Sequence, residues 1–145
     1  MRQNQAYPNR LGILGWFGGG RWGPDRYLYS LHRLTGLGLL AYFLIHVIVT
    51  SSRALGPEAW QRSMSSVSGP LFYLGEYLVF VAFVFHAVNG VRLVFAELGF
   101  GIGRPIEPVY PYTTAVDVQR PWMMLALVLI LVLIAIGTLD FFFLH

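Results

Sequence analysis

The sequence has no cysteine and no lysine, and charged residues make up only 12% of its 145 positions. Without cysteine the chain can form no disulfide and can supply no thiolate to an iron–sulfur cluster, so any such cluster has to sit in a partner. The scarcity of charge excludes an ordinary soluble domain, in which about a quarter of the residues are charged. No segment shows the alternating apolar pattern of a barrel strand. The first 27 residues hold Pro8, Gly18, Gly19, Gly20 and Pro24 but no compact apolar core of a secretory signal. They read as part of the mature protein, so membrane insertion relies on the first long apolar run.

What is present is apolar. Hydrophobic residues make up 56% of the chain and gather in three runs, over residues 28–51, 71–96 and 122–143. A helix of about 20 apolar residues crosses the hydrocarbon core of a bilayer. In lipid no water satisfies stray backbone groups, so each run has to bond internally as a helix. The expected fold is an all-α membrane protein of three transmembrane helices, with residues 1–27 as an N-terminal arm and 28–145 as the membrane domain.

All ten basic residues are arginine. Arg2, Arg10, Arg21, Arg26 and Arg33 precede or open the first span, Arg53 and Arg62 lie in the first loop, and Arg92, Arg104 and Arg120 flank the second. By the positive-inside rule the N-terminus and the second loop face the cytoplasm and the C-terminus lies outside, in a multi-pass protein of the cell (inner) membrane. Most of these arginines orient the chain or meet lipid headgroups, and nucleic acid is not needed to explain them. In the arm, Trp16, Phe17, Trp22 and Tyr27 suit the membrane interface. Pro57, Glu58, Ala59 and Trp60 could begin a short interfacial helix in the first loop, and Gly69 and Pro70 punctuate the start of the second span. Glycines and prolines at 99, 101, 103, 105, 108 and 111 make the second loop, over residues 97–119, irregular. Those glycines do not form a phosphate cradle, because no strand precedes them.

Of four histidines, His32, His46, His86 and His145, two lie at membrane depth: His46 late in the first span and His86 within the second. An ionisable residue there marks a functional site or hydrogen-bonds across a helix interface. At about 100° per residue, Gly75, Val79, Ala82, His86, Gly90 and Leu93 share one stripe of the second span. Small residues on it admit either a neighbouring helix or a flat macrocycle bound through the imidazole. The stripe through His46 holds His32, Thr35, Leu39 and Tyr42, with Arg33 on another side. Haem iron takes axial imidazoles and its propionates need cationic or donor partners, for which His32 and Arg33 are placed. His46 lies about five residues from the outer end of its span and His86 about fifteen, a depth difference of roughly 15 Å. One haem cannot take both, so two ligating histidines would mean two haems, each completed by a histidine from a companion subunit. The chain would then be half of a larger haem-binding bundle.

The segment Ser30-Leu31-His32-Arg33-Leu34-Thr35-Gly36 resembles the Ser/His-Arg-x-Ser/Thr-Gly signature that opens the first membrane helix of succinate dehydrogenase cytochrome b subunits. His86-Ala87-Val88-Asn89-Gly90-Val91-Arg92, followed by Glu97, resembles that family's His-x-x-x-Gly-Ile/Val-Arg element with its trailing acidic residue. The resemblance is close over residues 25–100 and extends to the third span by hydropathy alone. It implies that His86 is an axial haem ligand, that His32, Arg33 and Arg92 lie near haem propionates or the quinone pocket, and that Ser30 and Arg33 help to form that pocket. Tyr29 stands where many relatives carry the quinone-site serine, so it is an alternative donor to Ser30. His46 looks like the extra ligand of diheme members whose anchor is split into two three-helix subunits.

The function so implied is that of a membrane-anchor cytochrome b subunit of succinate:quinone oxidoreductase. It would bind one or two haem b groups shared with a second anchor subunit, and help an iron–sulfur and a flavoprotein subunit to reduce quinone. This chain would perform no dicarboxylate chemistry. Two alternatives stay open: a b-type cytochrome subunit of another membrane oxidoreductase, and a haem-free anchor in which His46 and His86 only hydrogen-bond. A transporter is disfavoured, since no span shows a broken-helix substrate site.

Overall fold

The computed structural model describes the backbone of residues 24–101 and 115–144. Residues 1–23 of the arm, residues 102–114 of the second loop and His145 lie outside the described residues. The elements are helix α1 (Pro24–Ser51), a 3-10 turn (Ser52–Leu55), helix α2 (Pro57–Ser66), helix α3 (Pro70–Glu97), helix α4 (Ala115–Leu139) and a wider π-type turn (Asp140–Leu144). The described residues contain no strand. The protein is all-α, with three helical stretches long and apolar enough to cross a membrane: Tyr27–Leu55, Pro70–Glu97 and Val118–Leu144. At 1.5 Å per residue each is about 40 Å long, more than the roughly 30 Å hydrocarbon core requires.

Two Gly-Pro pairs organise the chain between α1 and α3. Gly56 (φ 103°, ψ 173°) precedes Pro57, and Gly69 (φ 115°, ψ 172°) precedes Pro70. Proline drives the residue before it to extended ψ, and combined with positive φ that conformation is open essentially to glycine alone. Each proline then sits in the first helical turn, where its missing N–H would have had no partner. The short helix foreseen at Pro57 is α2, and the Arg53 guanidinium lies 4.7 Å from the Trp60 ring centre, tying the 3-10 turn to it.

Helix α4, the third span, departs from expectation at its start. It begins at Ala115 and runs through Pro121, so the end of the loop expected to be irregular is helical. Pro121 removes one backbone donor, a loss that membrane helices tolerate. The polar Gln119 and Arg120 carry the helix beyond the apolar run that defined the span.

Helix α3 lies in the middle, with α1 and α4 both packed on it. The buried core is small: Leu28 from α1, Val84 and Phe85 from α3, and Met123 and Ile130 from α4, flanked by Phe80, Val88, Leu127 and Ile134. Because α3 runs antiparallel to its neighbours, the start of α1, the end of α3 and the start of α4 meet at what is here called the proximal end. At the distal end the Phe80 ring packs on Gly137, which has no room for a Cβ. Thr138 Oγ1 donates to the Ile134 carbonyl at 2.6 Å and so accepts from Tyr77 Oη at 2.8 Å. Tyr73 donates to the Phe141 carbonyl, capping a group that the end of the helix leaves free. Most large apolar side chains, Leu37, Phe43, Ile48, Phe83 and Leu131 among them, stay exposed on the chain taken alone. That suits a surface facing lipid or other membrane helices.

Candidate functional site

The site is built where α1 and α3 pack through their histidines and glycines, toward the proximal end. The rings of His32 on α1 and His86 on α3 stack with centroids 4.0 Å apart and planes within 5°. Their approach depends on two glycines. A Cβ on Gly36 would stand 2.7 Å from His86 Cε1 and 3.2 Å from His86 Nδ1, and one on Gly90 would stand 3.4 Å from His32 Cε1. Each helix carries a histidine and, four residues on, the glycine that seats the other helix's histidine. That i, i+4 spacing places both on one face.

His86 Nδ1 lies 3.1 Å from the His32 carbonyl and 3.3 Å from Thr35 Oγ1. Thr35 Oγ1 also lies 2.8 Å from the Leu31 carbonyl and 3.0 Å from that of His32. The motif on α1 thus surrounds one nitrogen of His86 with oxygen atoms. Distal to the stack, α1 and α3 flank a groove of about 510 Å³ lined by Leu39, Tyr42, Glu76, Phe83 and His86 among others. A second cavity of about 590 Å³ lies between α3 and α4 at the proximal end, where Arg92, Gln119 and Trp122 line an otherwise apolar wall.

Asn89, one turn beyond His86, is 1% exposed. Its Oδ1 accepts a bond from Arg92 Nε at 3.1 Å. Asn89 Nδ2 and His32 Nδ1 are both buried without a hydrogen-bond partner among the described residues. Tyr29 and Arg33 form a separate pair on the exposed side of α1, with Arg33 Nη1 donating to Tyr29 Oη at 3.1 Å.

Of the residues singled out by sequence, the structure brings His32 and His86 together, joins Arg33 to Tyr29, and holds Arg92 through Asn89. Ser30 is half-buried one step round α1 from Tyr29. His46 lies fourteen residues beyond His32 on the same helix, about 21 Å along the axis. It is exposed, with its ring 5.7 Å from that of Tyr42. Sequence reasoning missed Asn89 and the seating of each histidine on the opposite glycine. A signal for Asn89 was present: an amide in mid-span, three residues before an arginine.

No solved structure matches this chain. Among proteins of known description, a succinate dehydrogenase hydrophobic membrane anchor subunit from Halobacterium salinarum is 30% identical over 87 residues, which cover 57% of this chain and 67% of that protein. Succinate dehydrogenase 2 membrane subunit SdhC from Mycobacterium tuberculosis is 25% identical over 74 residues, covering 51% of this chain and 54% of that protein. The profile of one family matches residues 17–136, a stretch that takes in both histidine motifs, the first two spans and most of the third. The chain belongs to the succinate dehydrogenase/fumarate reductase transmembrane subunit family.

Proposed function

We propose that the chain is the membrane-anchor cytochrome b subunit of a succinate:quinone oxidoreductase, that it binds haem b through His86, and that its proximal end helps to form the quinone-reduction site. The observation that carries the reading is the environment of His86. The His32 carbonyl 3.1 Å from Nδ1 can only accept, so Nδ1 carries the proton and Nε2 keeps its lone pair for a metal. His86 also lines the distal groove between α1 and α3. Among the described residues no three His, Cys, Asp or Glu side chains gather to hold a bare ion. One imidazole beside an apolar groove suits a metal that arrives within a macrocycle. His86 would supply the axial imidazole that haem takes, and haem when bound supplies one-electron chemistry.

His46 would serve a second haem at the face of α1 that this chain leaves exposed, with a second anchor subunit completing both sites. Arg92, held by Asn89, and His32 offer positive charge and donors to propionates. At the exposed side of the proximal end, the Arg33–Tyr29 pair presents donors to a quinone carbonyl, with Ser30 beside it. The Arg33 guanidinium would stabilise the negative charge that develops on the quinone oxygen as electrons arrive from an iron–sulfur partner. The same arrangement serves fumarate reduction by quinol.

The test is purification of the assembled complex through a tag on this chain. The reading requires flavoprotein and iron–sulfur subunits to co-purify with succinate-dependent quinone reduction and a b-type Soret band. Co-purification of a different dehydrogenase would assign the chain to another oxidoreductase, and absence of the band would leave a haem-free anchor in which the His86 hydrogen bonds serve packing alone.

A further inference from the structure

Resting on the haem reading above, we propose that Thr35 is a positioning residue for His86, adding a second acceptor at Nδ1 and so strengthening the ring nitrogen that faces the metal as a donor. Thr35 Oγ1 lies 2.8 Å from the Leu31 carbonyl and 3.0 Å from the His32 carbonyl, both of which only accept. With Nδ1 protonated toward the His32 carbonyl, Thr35 gives its own proton to the Leu31 or His32 carbonyl and offers Nδ1 a lone pair at 3.3 Å. The His32 carbonyl is a second acceptor at 3.1 Å from the same nitrogen. A bare nitrogen lone pair facing two oxygen atoms would be repelled by both, whereas an Nδ1–H satisfies them.

Ring position is fixed by the next residue. Gly36 has no Cβ, and one would stand 2.7 Å from His86 Cε1, so the imidazole settles onto the α1 backbone where the two acceptors lie. His32, Thr35 and Gly36 of the first motif therefore act on the histidine of the second motif, and the two motifs are halves of one device. Hydrogen bonds to the distal nitrogen of a ligating imidazole raise the basicity of the metal-facing one, which favours the ferric state. Thr35 thereby holds the haem potential lower than His86 alone would set it.

The experiment compares Thr35→Val, which keeps the branched shape and loses the hydroxyl, with Thr35→Ser, which restores it, in the assembled complex. Two readings are taken: the haem midpoint potential, and the 15N resonances of His86 in the histidine-labelled full chain, which report the protonated ring nitrogen with or without haem. Thr35→Val is expected to shift the ferric–ferrous equilibrium toward ferrous by up to about fivefold, the ceiling set by one net hydrogen bond. It should also move the His86 Nδ1 resonance, and Thr35→Ser should return both to wild-type values. If Thr35→Val does not assemble, Thr35→Ala gives the same reading with less bulk at the interface. A hydroxyl-free variant with wild-type potential and wild-type Nδ1 resonance would overturn the proposal. A wild-type complex without haem would overturn the haem reading instead, and the Nδ1 resonance would still decide the role of Thr35.

Discussion

His32 and His86 lie face to face, 4.0 Å apart and within 5° of parallel, each ring over the glycine of the opposite helix. The two seats differ in depth of contact. At Gly36 an added Cβ would come within 2.7 Å of His86, whereas at Gly90 it would reach ordinary contact at 3.4 Å from His32. Gly36→Ala is therefore expected to push His86 off its acceptors, destabilise the chain by about 1–3 kcal/mol as overpacking does, and lower the haem bound per chain. Gly90→Ala should stay near wild type. Thermal unfolding in detergent together with the haem spectrum distinguishes them, and equal effects at the two glycines would refute the difference in seating.

Much of this arrangement was legible in the sequence, because lipid narrows the options. Three apolar runs with almost no charge can only be helices, and the ends of the first two spans fall within a few residues of the ends of α1 and α3. Helical phase placed His86 and Gly90 on one stripe and His32 and Thr35 on another. Phase describes one helix at a time, however, and the register of α1 against α3 is a tertiary property. It decides that His32 meets His86 rather than another partner, and that Thr35 faces Nδ1. The start of α4 was hidden for another reason: polarity and Pro121 ended the apolar run but not the helix. Asn89 drew no attention because its near-complete burial is a tertiary property, although its position three residues before an arginine was a signal.

At the distal end, Phe80 fills the space over Gly137. Gly137→Leu should separate α3 from α4 there and break the Tyr77–Thr138 hydrogen bond of 2.8 Å. Its expected cost is about 1–3 kcal/mol. Phe80→Ala in the same chain should recover part of that loss, since it removes the ring that the new side chain strikes. Melting temperatures of the two single variants and the double variant check this, and simple additivity would mean that the two residues do not share the contact.

Asn89→Leu takes from Arg92 an acceptor at 3.1 Å inside the membrane domain. The expected loss of stability is about 1–3 kcal/mol, as for a hydrogen bond to a charged group. Asn89→Asp keeps the acceptor oxygen and should lose less than half as much. Denaturation midpoints of the two variants measure the difference. A larger loss for aspartate than for leucine would show that burial of the side chain, and not its bond to Arg92, is what matters.

Whether His86 ligates haem is decided by haem b per copy of this chain in the purified complex, from reduced-minus-oxidised spectra. Wild type, His86→Ala and His46→Ala should be compared. The account predicts two haems in wild type and one in each variant. Without haem, His46→Ala should leave the stability of the isolated chain within about 0.5 kcal/mol of wild type, because His46 is exposed on α1. An assembled His86→Ala complex with its full haem content would contradict the account.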